Sequence, residues 1–144
     1  QRLVEPMYLV ELQCNEQVLR RLYAVIGKRR GRIISEDLRE GTQIFVVKCY
    51  LPVEQSFGFA TSLRQRTSGM ASPQLVFSHW EVIQEDPFFV PITDEEKEEF
   101  GSNAVMKANL ARTLVDKVRK RKGLPVEELI VQHAEKQRTL ARKK

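Results

Sequence analysis

The residues best suited to chemistry form a short run, LRQRTSG at 63–69, in which two arginines precede two hydroxyls and a glycine. Arg64, Arg66, Thr67 and Ser68 offer positive charge and hydrogen-bond donors, but no base, nucleophile or metal ligand accompanies them. Guanidinium, hydroxyl and loop amide groups are the donors that proteins use to contact phosphate oxygens. The run therefore predicts a phosphate-facing corner rather than a catalytic centre.

Two further basic groups share one feature, since each closes a predicted helix. They are Lys28, Arg29, Arg30 and Arg32 in the first half of the chain, and Arg119, Lys120, Arg121 and Lys122 in the second. Cations at a helix carboxyl end stabilise the helix dipole by roughly 0.3–1 kcal/mol each, which is the simplest explanation. Three such groups on one small basic protein favour phosphate contact instead.

The sequence lacks the motifs of several other binding and catalytic functions. The chain contains no GxxxxGK[ST] loop, no GxGxxG and no GxSxG, so neither nucleotide-binding nor serine-hydrolase motifs are present. His79 and His133 have no cysteine or carboxylate pattern around them, and His79 is interpreted as structural. Cys14 and Cys49 lie in apolar runs and are predicted to be buried free thiols. We expect no active site and no metal site in residues 1–144.

Charge is distributed unevenly along the 144 residues, whose net charge is +5. Residues 85–101 hold seven acids and one lysine, whereas residues 112–144 hold eleven cations and four acids. No apolar run approaches the ~20 residues of a membrane span, and no signal peptide is visible. The composition predicts a soluble protein facing an acidic partner, and the missing initial methionine suggests part of a longer chain.

The elements that position these residues alternate in a regular order. Strands are predicted at 6–14, 32–38, 43–51 and 74–82, with helices after Asn15 and after Pro52. In the second helix, Phe57, Phe59, Ala60 and Leu63 are expected to be buried, and Gly58 to allow close backbone approach. The order β-α-β-β-α-β predicts an α+β, ferredoxin-like domain: an antiparallel four-stranded sheet with two helices on one face.

Three regions follow from this pattern: the ferredoxin-like domain at 1–84, a Pro/aromatic and acidic connector at 85–102, and a basic helical extension at 103–144. The connector includes a capping box from Thr93 to Glu96, and the extension holds helices from Asn103 and from Val126. Exposed aromatics are expected to be few, and strand QIFVVKCYL lacks the aromatic run of RNA-recognition motifs. Such a protein would hold a folded RNA without reading its sequence.

Longer segments carry a resemblance to a known family. RLVEPMYLVELQC, YAVIGKRRGRI and SFGFATSLRQRTSG followed by PQLVFSHWE resemble the C-terminal, fifth domain of translational GTPases such as elongation factor G and elongation factor 2. The resemblance covers residues 2–87 and then 119–124. RTSGMASPQLVFSHWEVI and the tail VEELIVQHAEKQRTLARKK are most similar to the branch of elongation factor-like GTPases that mature the large ribosomal subunit.

The resemblance implies a function for the longer protein. GTP and Mg would be bound in a missing catalytic domain, so this fragment itself would need no cofactor. The protein, a cytoplasmic monomer without membrane contact, would dock on the large subunit at ribosomal RNA and stalk-base proteins. With an SBDS-type partner it would release the anti-association initiation factor 6 from the pre-60S particle. Arg64, Arg66, Thr67, Ser68 and the run from Arg119 to Gly123 would lie at the ribosome.

Two alternatives stay open. RLVEPMYLVELQC is closer to elongation factor 2, which would give the domain a role in GTP-dependent translocation. Ferredoxin-like domains also serve as regulatory modules for small ligands, although that analogy rests on the fold alone. A response to metabolites without salt-dependent RNA binding would favour the regulatory module.

Overall fold

The computed structural model of the chain describes residues 1–89, 93–95 and 109–126. The chain divides into two compact units, Gln1–Asp86 and Pro87–Lys144. The strands are β1 (Val4–Asn15), β2 (Arg32–Leu38), β3 (Ile44–Pro52) and β4 (Ser72–Val82). The helices are α1 (Glu16–Lys28), α2 (Phe59–Thr67) and α3 (Leu110–Arg121), with a 3-10 helix at Val53–Gln55.

The four strands form one sheet in the order β2-β3-β1-β4, and every neighbouring pair is antiparallel. Because β1 is central and β4 returns beside it, the two βαβ halves interlock as the sequence predicted. The α+β, ferredoxin-like arrangement is therefore confirmed. A register shift between Met7 and Tyr8 interrupts the β1–β4 pairing.

The core of the first unit lies between the sheet and its two helices. Alternate residues of β1 and β3 are buried there, as their period of two predicts: Val10, Leu12, Cys14, Val47, Cys49 and Leu51. The helices contribute Val18, Leu22, Val25, Ile26, Phe59 and Leu63. This packing fixes where each helix ends, and with it the position of every basic group in the unit.

The carboxyl end of α1 is a Schellman turn in which arginine, not glycine, takes the left-handed conformation. Arg30 has φ +58°, and the amide of Gly31 donates to the Ile26 carbonyl at 3.0 Å. A Cβ on Gly31 would overlap the Ile26 side chain and lie 3.1 Å from its carbonyl oxygen. Gly31 therefore closes the helix through close packing rather than through a positive φ.

The start of α2 differs from the prediction. The chain leaves β3 through the 3-10 helix, and Gly58 with φ +73° precedes the first helical residue, Phe59. Phe57 therefore lies outside the helix and is 74% exposed, so its expected burial is wrong. A Cβ on Gly58 would meet only an Arg29 nitrogen at 3.9 Å, so the left-handed backbone requires this glycine and the expected close approach is wrong.

The described residues of the second unit, 87–89, 93–95 and 109–126, include α3. The helix begins at Leu110, where the Asn109 side chain accepts a hydrogen bond from the Arg112 amide at 3.1 Å. Gly123 follows its carboxyl end with φ +71°, a left-handed conformation that glycine adopts without strain. The predicted start at Asn103, the box partner Glu96 and most of the last helix lie outside the described residues. Within the described part, no helix is long and apolar enough to cross a membrane.

Candidate nucleic-acid interface

The first basic group contains three arginines that are already engaged inside the first unit. Arg29 Nη1 donates to the carbonyl oxygens of Gln55 at 2.6 Å and Phe57 at 2.9 Å. Its guanidinium also lies 5.9 Å from the centre of the Phe59 ring. Arg29 therefore ties the end of α1 to the segment that leads into α2.

The next two arginines of this group are neutralised by carboxylates. Arg30 forms a two-point ion pair with Glu5, with nitrogen–oxygen distances of 3.2 and 2.9 Å. Arg32 pairs with Glu81 and lies over the ring of Tyr50. Both guanidinium groups are thus engaged by carboxylates of the strands β1 and β4, which weakens the prediction that they meet phosphate. Lys28 is exposed and has no ion pair among the described residues.

The second group closes α2, and its members divide by exposure. Arg64 and Arg66 are exposed and form no ion pair within residues 1–89. Ser68 is also exposed and takes the left-handed conformation, with φ +53°, that ends the helix. These three residues remain suited to phosphate contact.

Thr67 is the exception in this group. It is fully buried, and its hydroxyl donates to the Leu63 carbonyl one turn earlier at 2.8 Å. A hydroxyl in that position serves the helix rather than a ligand. In this conformation Thr67 is a core residue, so the structure corrects its inclusion among the phosphate donors.

The structure brings three members of the first two groups, Lys28, Arg29 and Arg66, together in one cleft. An open cleft of about 340 Å³ lies between α1 and α2, lined by Val25, Lys28, Arg29, Gln55, Ser62 and Arg66. The two helices end at opposite ends of the sheet, because α1 leads to β2 and α2 leads to β4. Arg66 nevertheless reaches the cleft of Lys28, since helical side chains incline towards the amino terminus of their own helix. Sequence reasoning did not foresee this cleft, because it depends on how two helices pack.

The third group lies in the second unit, at the end of α3. Arg119 Nε donates to the Pro125 carbonyl at 3.0 Å, and Lys120 and Arg121 also interact with other groups of the chain. Lys122 is exposed and pairs with no carboxylate in the part of the unit that the structure describes. Lys122 is therefore the residue of this group most available to a partner.

Exposed aromatic side chains were underestimated from the sequence. Phe57, Phe77 and Trp80 are 74%, 52% and 64% exposed. Phe77 and Trp80 contact each other edge to face, with ring centres 6.0 Å apart. The backbone of Phe57 adjoins the basic cleft, because its carbonyl accepts a hydrogen bond from the cleft residue Arg29. Gly58 was the available signal in the sequence. A left-handed glycine does not continue a helix, so the residue before it, Phe57, falls outside α2.

The histidine and the two cysteines of the first unit have the contacts and burial of structural residues. His79 bonds Ser78 through Nδ1 at 2.9 Å and packs edge-on against Tyr50 at 4.8 Å. Burial raises the pKa of the Cys49 thiol to about 11, and burial with the nearby Glu36 charge raises the pKa of Cys14. Both thiols are free and buried, as predicted, and are poor nucleophiles near neutral pH. In the described ranges no group of acids, histidines and cysteines could hold a metal ion.

Comparison with known proteins adds a family and several relatives. The family described as "Elongation factor G C-terminus" matches residues 2–90. Over all 144 residues the chain is 57% identical to the mouse protein "Elongation factor-like GTPase 1" and 56% identical to its human counterpart. It is 51% identical over 139 residues, 96% of its length, to "Ribosome assembly protein 1" of Schizosaccharomyces pombe. The chain spans 13–14% of the length of these curated relatives.

Proposed function

We propose a ribosome-docking function for this chain, which belongs to the elongation factor G C-terminus family. The family match covers the first unit from its second residue onward, including both helix ends that carry basic groups. The domain would bind the large ribosomal subunit through ribosomal RNA and stalk-base proteins. It would act as a monomer in the cytoplasm, as part of a longer protein.

The longer protein would be a GTP-hydrolysing factor of ribosome biogenesis. The names of the relatives, an elongation factor-like GTPase and a ribosome assembly protein, support this proposal. GTP and Mg would bind outside these 144 residues. With an SBDS-type partner, the protein would release initiation factor 6 from the pre-60S subunit.

One observation carries the docking proposal: the cations at the helix ends fall into two kinds. Arg29, Arg30 and Arg32 are engaged within the first unit, whereas Lys28, Arg64 and Arg66 are exposed. An exposed cation without a partner contributes little to stability and attracts phosphate over a distance of about 10 Å. These three residues are therefore the proposed electrostatic contacts with ribosomal RNA.

Charge reversal at the end of α2 tests this function. Changing Arg64→Glu and Arg66→Glu together should weaken binding of the intact protein to purified 60S particles. It should also lower the slope of log affinity against log salt by about 2. Arg39→Glu is the matched control for charge reversal, because Arg39 is an exposed arginine in the turn after the opposite edge strand, β2.

The outcomes separate clearly. Loss of 60S binding in the double variant, with Arg39→Glu close to wild type, supports docking through the end of α2. Equal binding of all three proteins, with their unfolding midpoints unchanged, would remove this surface from the ribosome contact.

A second candidate function is GTP-dependent translocation, as in elongation factor 2. The segment RLVEPMYLVELQC, which forms the start of the chain and β1, favours it. An assay of the intact protein decides between the two. Release of initiation factor 6 from pre-60S particles supports maturation, whereas stimulation of peptide synthesis on assembled ribosomes supports translocation.

A further inference from the structure

We propose that the cleft between α1 and α2 binds one unpaired nucleotide of an RNA. Its phosphate would lie between Lys28 and Arg66, and its base would stack on Phe57. This inference rests on the proposed ribosome docking and deepens it, because it names the feature of RNA that the cleft recognises.

The first support is the charge and size of the cleft. Its volume of about 340 Å³ falls within the ~300–1,000 Å³ of small-ligand sites. Its lining, all within the described first unit, holds three cations and no carboxylate. Lys28 and Arg66 have no ion pair in that unit, so an anion would meet their charge undiminished. Ser62 and Gln55 add neutral donors and acceptors for a base or sugar edge.

The second support is the fixed position of Phe57. Its carbonyl accepts the Arg29 bond at 2.9 Å, and the same nitrogen holds Gln55 at 2.6 Å. Gly58 follows in the left-handed conformation and turns the chain into α2. The backbone around Phe57 is thus clamped on both sides, while its ring is 74% exposed. A large apolar side chain in a preorganised and exposed place is suited to binding rather than to packing.

The third support is that the unpaired cations Lys28 and Arg66 and the exposed aromatic residue Phe57 belong to the same region of the first unit. A paired RNA helix offers phosphates but hides the faces of its bases, whereas an unpaired nucleotide offers both. Stacking of a base on an aromatic side chain raises affinity by roughly one to two orders of magnitude. The other exposed aromatic pair, Phe77 and Trp80, lies in β4, whereas the cleft is lined by α1 with its carboxyl end, by α2 and by the segment between β3 and α2.

The test compares two RNA hairpins that differ by one bulged nucleotide, 2-aminopurine, whose fluorescence falls when it stacks. The intact protein is titrated with each hairpin. Phe57→Ala should weaken binding of the bulged hairpin about tenfold and remove the fluorescence change, but leave the paired hairpin unaffected. Phe57→Trp should restore both effects, and Phe77→Ala is the matched control for loss of an exposed phenylalanine. Arg66→Ala should weaken both hairpins and lower the salt slope by about 1.

Selective loss in Phe57→Ala with rescue by tryptophan supports the nucleotide site. Equal affinity for the two hairpins, or wild-type selectivity in Phe57→Ala, would overturn it. Binding of a ribosomal protein at Phe57 in place of RNA would overturn it as well. None of these results affects the docking proposal, which fails only if 60S binding is independent of Arg64 and Arg66.

Discussion

At the scale of single residues, both helices of the first unit end on a left-handed residue that is not glycine. Arg30 and Ser68 have φ values of +58° and +53°, and each is followed by a glycine. A left-handed residue with a Cβ costs roughly 1–2 kcal/mol. In α2 the following glycine, Gly69, is left-handed as well, with φ +77°. Gly31, after α1, has no positive φ and is required by its close packing against Ile26.

Gly31 and Gly27 provide a matched pair of substitutions. Gly31→Ala should lower the free energy of unfolding by roughly 1–3 kcal/mol, because the new methyl group overlaps Ile26. Gly27→Ala should raise it by roughly 0.5–1 kcal/mol, since Gly27 lies within α1 with nothing inside 4 Å of its Cβ position. Urea unfolding measures both, and equal effects of the two substitutions would contradict the packing at Gly31.

Thr67 shows the limit of sequence reasoning at this scale. Its neighbours Arg66 and Ser68 are exposed, whereas Thr67 is fully buried with its hydroxyl bonded to Leu63. A polar residue beside two arginines suggests a surface position. The helical phase turns it inwards, and the preceding-turn carbonyl satisfies its hydroxyl, so burial costs little. Four residues of apolar pattern were too few to predict that phase.

At the scale of elements, Arg29 connects the end of α1 with the start of α2. One nitrogen bonds two carbonyl oxygens across 26 and 28 residues of sequence. Both carbonyls belong to the segment between the 3-10 helix and α2. Arg29 therefore acts here as a structural residue, although it also lines the cleft.

Arg29→Ala should therefore lower the free energy of unfolding, by roughly 1.5–3 kcal/mol for each charge-assisted bond that is not replaced by water. Lys28→Ala is the control, because this neighbouring exposed cation should change stability by less than about 0.5 kcal/mol. Thermal unfolding of the two variants measures the difference. Arg29→Ala with wild-type stability would show that the segment before α2 is held by other contacts.

The sequence predicted strands better than it predicted the second helix. The alternation in β1 and β3 and the apolar stripe of α1 depend on local periods, and burial follows them closely. The start of α2 depends on a 3-10 turn and a left-handed glycine, which interrupt the helical period between Pro52 and Phe59. The sequence predicted the candidate residues one by one. It did not predict that Lys28, Arg29 and Arg66 line one cleft, because that cleft arises from the packing of α1 against α2.

At the scale of the whole molecule, the three basic groups contribute exposed cations without an ion pair to both units. Lys28, Arg64 and Arg66 belong to the first, and Lys122 belongs to the second. The core cluster, in contrast, consists of residues from Val10 to Ala71, all in the first unit. We therefore expect the first unit to fold without the basic residues of the second unit.

A truncation after residue 89 tests this separation. The shortened chain should unfold cooperatively in urea at close to the midpoint of the intact chain, because it loses no residue of the core cluster. Both buried thiols should stay unreactive towards a thiol reagent until the chain unfolds, since Cys14 and Cys49 belong to that cluster. A matched chain ending at residue 71, which lacks β4, should show no cooperative transition, because β1 would lose a hydrogen-bonded neighbour along nearly its whole length. If the chain ending at residue 89 also lost its transition, the second unit would be part of the folding unit, and its basic helix would have a structural role besides any contact with RNA.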